Sequence, residues 1–140
     1  MMENTAPPDH RLTIPVSFGH CDPAGIVFYP NFFRWFDRCF HDFIFVRAGG
    51  HAALCARLGS AGIGLMEADA KFRAPVRENQ TLELQMRATE WHRKAVRLDY
   101  AAWVGDRLAL TGHELRGVFV MRGGRMGAGE VAPLRAALGL

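Results

Sequence analysis

The stretch that decides the fold runs from Phe18 to Phe36 and reads FGHCDPAGIVFYPNFFRWF. Its first half predicts a loop, because glycines and a proline surround the acidic Asp22. Its second half is apolar and begins near Pro30, a residue well suited to the first turn of a helix, where its missing N–H costs nothing. The sequence therefore predicts an acidic loop that leads directly into an apolar helix.

The predicted helix extends from Asn31 to Arg47 and is apolar around much of its circumference. The apolar residues at helical spacing are Phe32, Phe33, Trp35, Phe36, Cys39, Phe40, Phe43, Ile44 and Val46. A helix with so wide an apolar surface must be largely wrapped by other structure. On its polar side, Arg34 and Asp37 stand at a spacing that allows a weak surface pair, as do Arg38 and Asp42.

Strands are predicted on both sides of this helix in the sequence. Alternating apolar residues predict a strand from Arg11 to Phe18. Pro15 has no N–H to donate to a neighbouring strand, so it should face a side of the strand that is not paired. The elements predicted after the long helix are a short helix over His51–Leu58, strands over Ile63–Phe72, Thr81–Ala88, Ala95–Val104 and Leu108–Met121, and a final helix over Pro133–Leu138. Short connections between these strands favour an antiparallel meander.

The order of these elements predicts an α+β fold in which an antiparallel sheet of five or six strands wraps around one long helix. The length of 140 residues, 49% of them apolar, fits one domain over residues 11–140 behind a loose leader over residues 1–10. An antiparallel sheet with short edges favours edge-to-edge pairing. We therefore expect a homodimer that shares one continuous sheet.

Composition argues against several classes of protein. Lys plus Arg of 17 against Asp plus Glu of 14 gives a net charge of +3, which favours an anionic ligand without indicating a nucleic-acid partner. No apolar run is long enough for a membrane span or signal peptide. Three cysteines without CxxC spacing argue against a disulfide framework and predict a reducing, cytoplasmic setting. The histidines lack metal-ligand spacing, so we expect no metal.

Asp22 is the strongest single candidate for chemistry. A carboxylate just before a helix start can act as base or nucleophile while nearby backbone N–H groups stabilise a developing oxyanion. The same residue, followed by Pro23, is also ordinary turn chemistry and a preferred helix cap, and local chemistry alone favours that structural role. A nucleophile and base pair of Cys21 and His20 is not favoured, because neighbours in an extended segment point to opposite faces.

A second candidate is the tetrapeptide from Trp91 to Lys94, which reads WHRK at a predicted hairpin connection. An aromatic face beside two or three cations suits a nucleotide with several phosphates. The alternative is a solvated basic turn without a ligand, which is the commoner case. Neither GxGxxG nor GxxxxGK[ST] occurs, which argues against a Rossmann or P-loop site.

The loop from Phe18 to Asn31 closely resembles the signature loop of the 4-hydroxybenzoyl-CoA thioesterase family, whose members have the hotdog fold. The resemblance covers nearly the whole chain from about Arg11 and includes Asp37, the strand end at Lys71-Phe72 and the basic turn. It implies hydrolysis of an acyl-CoA thioester without a metal or redox cofactor. It also implies a homodimer, often paired into a homotetramer, with active sites between subunits.

The resemblance assigns roles to individual residues. Asp22 matches the catalytic carboxylate, as nucleophile or as the base that activates water. The backbone N–H of Tyr29 would polarise the thioester carbonyl, aided by the helix dipole. Trp91 belongs to the matching basic turn, in which Arg93 and Lys94 match positions that contact the CoA phosphates.

Departures from the family pattern concern the acyl group. His20 stands where the 4-hydroxybenzoyl enzyme has an acidic residue, and Phe32 and Phe33 replace more polar side chains, which predicts a more apolar pocket. Asp37 matches a position at the ring end of the substrate, although it could equally be a surface residue paired with Arg34 or Arg38. We therefore expect 4-hydroxybenzoyl-CoA, benzoyl-CoA or a substituted relative as substrate. The alternatives are a short-chain acyl-CoA or dihydroxynaphthoyl-CoA thioesterase, or a non-catalytic acyl-CoA binding module.

Overall fold

The computed structural model describes residues 6–140. Its elements are β1 His10–Pro15, α1 Pro30–Ala48, α2 His51–Leu58, β2 Gly62–Phe72, β3 Thr81–Trp91, β4 Val96–Val104, β5 Arg107–Arg122, β6 Arg125–Gly129 and α3 Ala132–Leu138. The long helix, both short helices and five of the strands lie where the sequence predicts them, with small shifts at their ends. None of the helices in this part of the chain is long and apolar enough to span a membrane.

The strands form one antiparallel sheet in the order β1-β3-β4-β5-β2, with β6 paired to β5. The predicted meander is therefore confirmed only from β3 to β5, because β2 pairs with β5 and lies at the far edge from β1. The sequence predicted five or six strands but did not place the sixth. Its register places Arg122 opposite Arg125, so Gly123 and Gly124, with φ of 59° and 76°, form the two-residue turn of a hairpin.

The core lies between α1 and the inner face of this curled sheet. The helix contributes Phe32, Trp35, Phe36, Cys39, Phe40, Phe43 and Ile44, and the sheet contributes Leu82, Leu84, Met86, Leu98, Tyr100 and Leu110, all of them buried. Burial also raises the pKa of the Cys39 thiol to about 12, so this cysteine stays protonated. The predicted α+β class, with a sheet wrapped around one long helix, is confirmed.

A close approach fixes the first half of α1 on the sheet. The ring of Phe36 stacks on Tyr100 with centroids 4.4 Å apart and an angle of 13° between the planes. Gly112 lies opposite Tyr100 in the register, and a Cβ there would stand 2.5 Å from the Phe36 ring and 2.8 Å from the backbone oxygen of Asp69. Only a residue without a side chain allows this packing.

Buried charges join the same part of the helix to β5. Glu114 and Arg116 are 1% and 2% exposed. The Arg116 guanidinium donates two hydrogen bonds to the Glu114 carboxylate, each 3.0 Å long. The Tyr100 hydroxyl donates to Glu114 at 2.7 Å, and the Arg116 guanidinium lies 4.4 Å from the centroid of the Phe40 ring. Burial, followed by the charge of Glu114, raises the pKa of Tyr100 well above its usual value.

The edge of the sheet begins at Asp9 and His10. His10 begins β1, and its imidazole lies 2.6 Å from the carboxylate of Asp42. The N–H of Asp9 donates to the carbonyl of Met86, and the Asp9 carboxylate accepts from the N–H of Ala88. Residues 9 and 10 therefore extend the sheet edge, whereas residues 1–5 lie outside the described part of the chain.

Candidate active site

The loop that joins β1 to α1 is built as a small arch. It begins with a 3-10 turn over Phe18–His20 and closes through a bridge between Cys21 and Val27. The N–H of Asp22 donates to the carbonyl of Ile26, and the N–H of Gly25, at a φ of 77°, donates back to the carbonyl of Asp22. Asp22 is thereby held near the tip of the arch, half-buried.

The Asp22 carboxylate has one engaged and one free oxygen. Oδ1 accepts the N–H of Ala24 at 2.8 Å, which is the turn that local chemistry favours. Within residues 6–140, Oδ2 accepts no hydrogen bond. The turn contact leaves an oxygen available to a water or a substrate, so the structural and chemical roles of this residue are compatible.

Tyr29 occupies the junction between the arch and α1. It precedes Pro30 at the first helical position, and its side chain is 60% exposed. Its carbonyl accepts the N–H of Phe32, whereas its own N–H meets no acceptor within residues 6–140. Because Pro30 has no N–H, Tyr29 offers a free donor at the positive end of the helix dipole.

The two phenylalanines predicted to line the acyl pocket have different surroundings. Phe32 is only 5% exposed and contacts Trp35 and Phe72 with ring centroids 5.5 and 5.7 Å away. Phe33 is half-buried and meets Phe36 edge to face. Phe72, at the end of β2, is 54% exposed and so presents an aromatic surface backed by Phe32.

Asp37 is paired, but with neither Arg34 nor Arg38. Its Oδ1 accepts from Nη2 of the buried Arg116 at 2.9 Å and lies 3.4 Å from Nε2 of His41. Within the described residues, Oδ2 accepts no hydrogen bond. Burial lowers the pKa of His41, so its imidazole is mostly neutral at pH 7. Asp37 is thus oriented from inside the fold while its carboxylate remains 55% exposed.

The basic turn between β3 and β4 lies beside α3. Arg93 forms an exposed ion pair with Glu130 at 3.0 Å, and Arg135 of α3 lies over the ring of Trp91 at 5.2 Å. Lys94 is exposed and unpaired among the residues from 6 to 140. A cavity of about 260 Å³ is lined by Trp91, His92, Arg93, Glu130, Val131, Ala132 and Arg135.

The structure does not join these two candidate regions within one chain. Across residues 6–140, no hydrogen bond, ion pair or ring contact links the basic turn to the arch. A larger cavity of about 510 Å³ includes Gln85, Arg97 and Trp103, which alternate with core residues and so face away from α1. The residues that line this larger cavity include none of the predicted site residues. We therefore base the site on the arch and the helix start.

Comparison with known proteins identifies the family. A model of the thioesterase-like superfamily matches residues 16–138. The chain belongs to the thioesterase-like superfamily. Among curated members, the 4-hydroxybenzoyl-CoA thioesterase of Pseudomonas sp. strain CBS-3 is 31% identical over 82 residues, a match that spans 57% of this chain and 57% of that enzyme.

Solved structures of thioesterases share this architecture over most of the chain. An aspartate-to-asparagine variant of 4-hydroxybenzoyl-CoA thioesterase, in complex with 4-hydroxybenzoyl-CoA, gives a TM-score of 0.78 at 26% identity, covering 91% of this chain and 96% of that one. A gentisyl-coenzyme A thioesterase gives 0.73 at 26% identity, covering 93% and 99%. These findings confirm the resemblance and the fold, and they support the predicted class of thioester hydrolase.

Sequence reasoning did not single out four residues that surround the site of this thioesterase-like chain. Asn31 binds the backbone of the arch, Arg116 binds the Asp37 carboxylate, and Glu130 and Arg135 complete the cavity at the basic turn. A signal existed for Arg116, because Glu114 and Arg116 stand two apart on the inward face of a strand, where charges must be paired. The contacts of Glu130 and Arg135 depend on where α3 docks, which no local pattern specifies.

Proposed function

We propose that this protein hydrolyses an aryl-CoA thioester to the free acid and CoA. The observation that carries the proposal is the pairing of a half-buried carboxylate with a free backbone donor at a helix start. Asp22 keeps one oxygen unengaged, and the Tyr29 N–H has no acceptor among residues 6–140. Among the similar solved structures, an aspartate-to-asparagine variant of 4-hydroxybenzoyl-CoA thioesterase holds 4-hydroxybenzoyl-CoA, an aryl-CoA thioester.

In the proposed reaction the thioester carbonyl oxygen accepts the N–H of Tyr29. The helix dipole and this donor stabilise the negative charge that develops on that oxygen. Asp22 either attacks the carbonyl carbon, forming a mixed anhydride that water then hydrolyses, or removes a proton from the attacking water. In both routes the C–S bond breaks, and CoA leaves as a thiolate, which needs little help from an acid.

We place the nucleotide part of CoA at the basic turn. Arg93 and Lys94 supply exposed cations for the phosphates. The guanidinium of Arg135 already stacks on one face of the Trp91 ring as a cation–π contact. The net charge of +3 agrees with an anionic substrate. Glu130 competes with the phosphates for Arg93, because its carboxylate forms an ion pair with this guanidinium in the absence of substrate.

We place the acyl group between α1 and β2. Phe72 presents its exposed ring there, Phe32 supports it from behind, and Phe33 and Asp37 lie further along the helix. Both relatives described above are named for aryl-CoA substrates. Aromatic side chains near an oriented carboxylate suit a ring with a hydrogen-bond donor, such as the 4-hydroxybenzoyl group.

We further propose that the active unit is a homodimer and that two such dimers pair into a homotetramer. The β2 strand is an open edge of 11 residues, and its Leu65 and Met66 are 50% and 52% exposed. A partner strand on this edge would continue the sheet and bring a second subunit to the arch.

We propose the cytoplasm as the location of this protein, because Cys21, Cys39 and Cys55 are all free thiols.

Thiol release from a panel of aryl- and aliphatic acyl-CoAs tests this function. We expect turnover of benzoyl- and 4-hydroxybenzoyl-CoA to exceed that of acetyl- and hexanoyl-CoA. Binding of these esters without thiol release would instead indicate an acyl-CoA binding module. Preference for aliphatic esters would contradict the aryl assignment while leaving the hydrolase in place.

A further inference from the structure

The carbonyl of His20 is held by two donors that lie on either side of Tyr29 in the sequence. The N–H of Phe28 donates to this oxygen at 2.9 Å, and Nδ2 of Asn31 donates to it at 2.9 Å. The N–H of Asn31 in turn donates to the carbonyl of Phe28 at 3.0 Å. Three hydrogen bonds thus close a ring around Tyr29, the residue whose own N–H remains free.

The amide of Asn31 is fixed at both ends. The residue is 8% exposed, its Nδ2 faces the His20 carbonyl, and its Oδ1 accepts from Nη1 of Arg34 at 3.0 Å. Because the guanidinium can only donate, it requires the oxygen of the amide on its side, which turns the amide nitrogen toward His20. A buried amide with both ends satisfied is held rigidly.

We propose that Asn31 is a positioning residue of the thioesterase, which sets the orientation of the Tyr29 peptide relative to Asp22. This inference rests on the proposed function. The arch from His20 to Phe28 carries Asp22, and the turn from Phe28 to Asn31 carries Tyr29. Asn31 is the side chain that ties these two segments together, so it fixes the carboxylate and the oxyanion donor as one unit. Arg34 supports it by orienting the amide.

The chemical consequence concerns the transition state more than substrate binding. An oxyanion donor must meet the developing charge at hydrogen-bond distance, and small misplacement of a reacting group costs rate. CoA binding at the basic turn does not depend on this ring of hydrogen bonds. Loss of the Asn31 amide should therefore lower kcat and leave KM nearly unchanged.

The test uses the full-length protein and the variant Asn31→Leu, which keeps the branched shape and removes the amide. We expect kcat for 4-hydroxybenzoyl-CoA to fall about tenfold to hundredfold, with a small change in KM. The exposed Arg34→Gln should lower kcat by a smaller factor, because a glutamine amide can donate or accept and so no longer forces the Asn31 oxygen to its side. Arg38→Gln is the matched control, since Arg38 is exposed on the same helix without a side-chain partner among residues 6–140.

A second readout separates positioning from a general structural effect. When a donor polarises the thioester carbonyl, the conjugated aryl chromophore absorbs at longer wavelength. In an Asp22→Asn background, bound 4-hydroxybenzoyl-CoA should show this red shift, and addition of Asn31→Leu should reduce it. If Asn31→Leu does not fold, the same comparison is made with Arg34→Gln.

The outcomes distinguish the inference from the proposed function. An unchanged kcat and an unchanged red shift in both Asn31→Leu and Arg34→Gln, in a protein that hydrolyses aryl-CoA, would overturn the role of Asn31 alone. Absence of aryl-CoA turnover in the native protein would overturn the proposed function itself. A raised KM with an unchanged kcat would assign Asn31 to binding and would also contradict the positioning role.

Discussion

Nη2 of Arg116 lies 2.9 Å from Oδ1 of Asp37, so a guanidinium that is 2% exposed orients a carboxylate on the open side of the central helix. The same guanidinium donates to both oxygens of the buried Glu114. Burial alone would lower the pKa of Arg116, but its bonds to Glu114 and Asp37 raise it above its usual value. One cation therefore serves both the packing of the core and the candidate acyl pocket.

The variant Arg116→Met should be strongly destabilised. It would leave Glu114 buried with the hydroxyl of Tyr100 as its remaining partner, and breaking a buried pair from one side costs about 3–5 kcal/mol. Urea unfolding of the native protein and the variant measures this loss in the free energy of unfolding. The double variant Glu114→Gln, Arg116→Met should recover much of it, because no uncompensated charge remains. Equal destabilisation of the single and double variants would contradict this reasoning.

The orientation of Asp37 leads to a prediction about substrate choice. In Asp37→Asn the amide oxygen still accepts from Arg116, but the free end of the side chain is no longer an anionic acceptor. We expect kcat/KM for 4-hydroxybenzoyl-CoA to fall about tenfold, because the charged acceptor for the substrate hydroxyl is lost. The value for benzoyl-CoA should change little. An equal loss with both substrates would remove Asp37 from ring recognition.

Gly112 offers a direct test of the helix and sheet contact. In Gly112→Ala the new methyl group would stand 2.5 Å from the Phe36 ring and 2.8 Å from a backbone oxygen, so one of the elements must move. Overpacking of this kind costs about 1–3 kcal/mol, which a denaturation curve resolves. Gly127→Ala in β6 is the matched control, since nothing lies within 4 Å of its Cβ position. Equal stability of the two variants would disprove the close packing.

The secondary structure was largely predictable from the sequence because local patterns determine it. The aromatic periodicity predicted a helix over residues 31–47, and α1 runs from Pro30 to Ala48 and ends at Gly49. The pairing of β2 with β5 was not predictable, because short connections say nothing about which edge a strand joins. β6 was missed because its run of glycines and small residues resembles a loop, although Gly123-Gly124 is itself a hairpin signal.

The candidate site was predictable in part for the same reason. Asp22 and Tyr29 belong to one continuous loop, so a local resemblance was enough to select them. The partner of Asp37 lies 79 residues away in the chain, and helical spacing pointed instead to Arg34. The role proposed for Asn31 depends on a contact across the arch with His20, which only the folded loop reveals.

Substitutions at the basic turn should change KM for CoA esters in opposite directions, depending on the charge that is removed. Replacing both Arg93 and Lys94 with Ala should raise KM for CoA esters by roughly tenfold, equivalent to about 1.4 kcal/mol. A truncated thioester that lacks the nucleotide should be affected much less. Glu130→Gln should lower KM for CoA esters, because the carboxylate that occupies Arg93 is removed.

The matched control for the basic turn is Arg57→Ala, which removes an exposed cation from α2. Its KM should be close to that of the native protein at 0.15 M salt, where distant surface charges are screened. If the Arg93 and Lys94 variant affects the CoA ester and the truncated thioester equally, phosphate recognition at this turn is wrong.

The most direct test of the central claim is single-turnover hydrolysis of 4-hydroxybenzoyl-CoA by the native protein and by Asp22→Asn. The asparagine can still accept the N–H of Ala24, so the arch should keep its shape while the anionic oxygen is lost. We predict that Asp22→Asn binds the ester with similar affinity and releases thiol at least about a hundredfold more slowly, as expected for loss of a general base or nucleophile. Equal rates of thiol release from the two proteins would contradict the assignment of Asp22 as the reacting carboxylate.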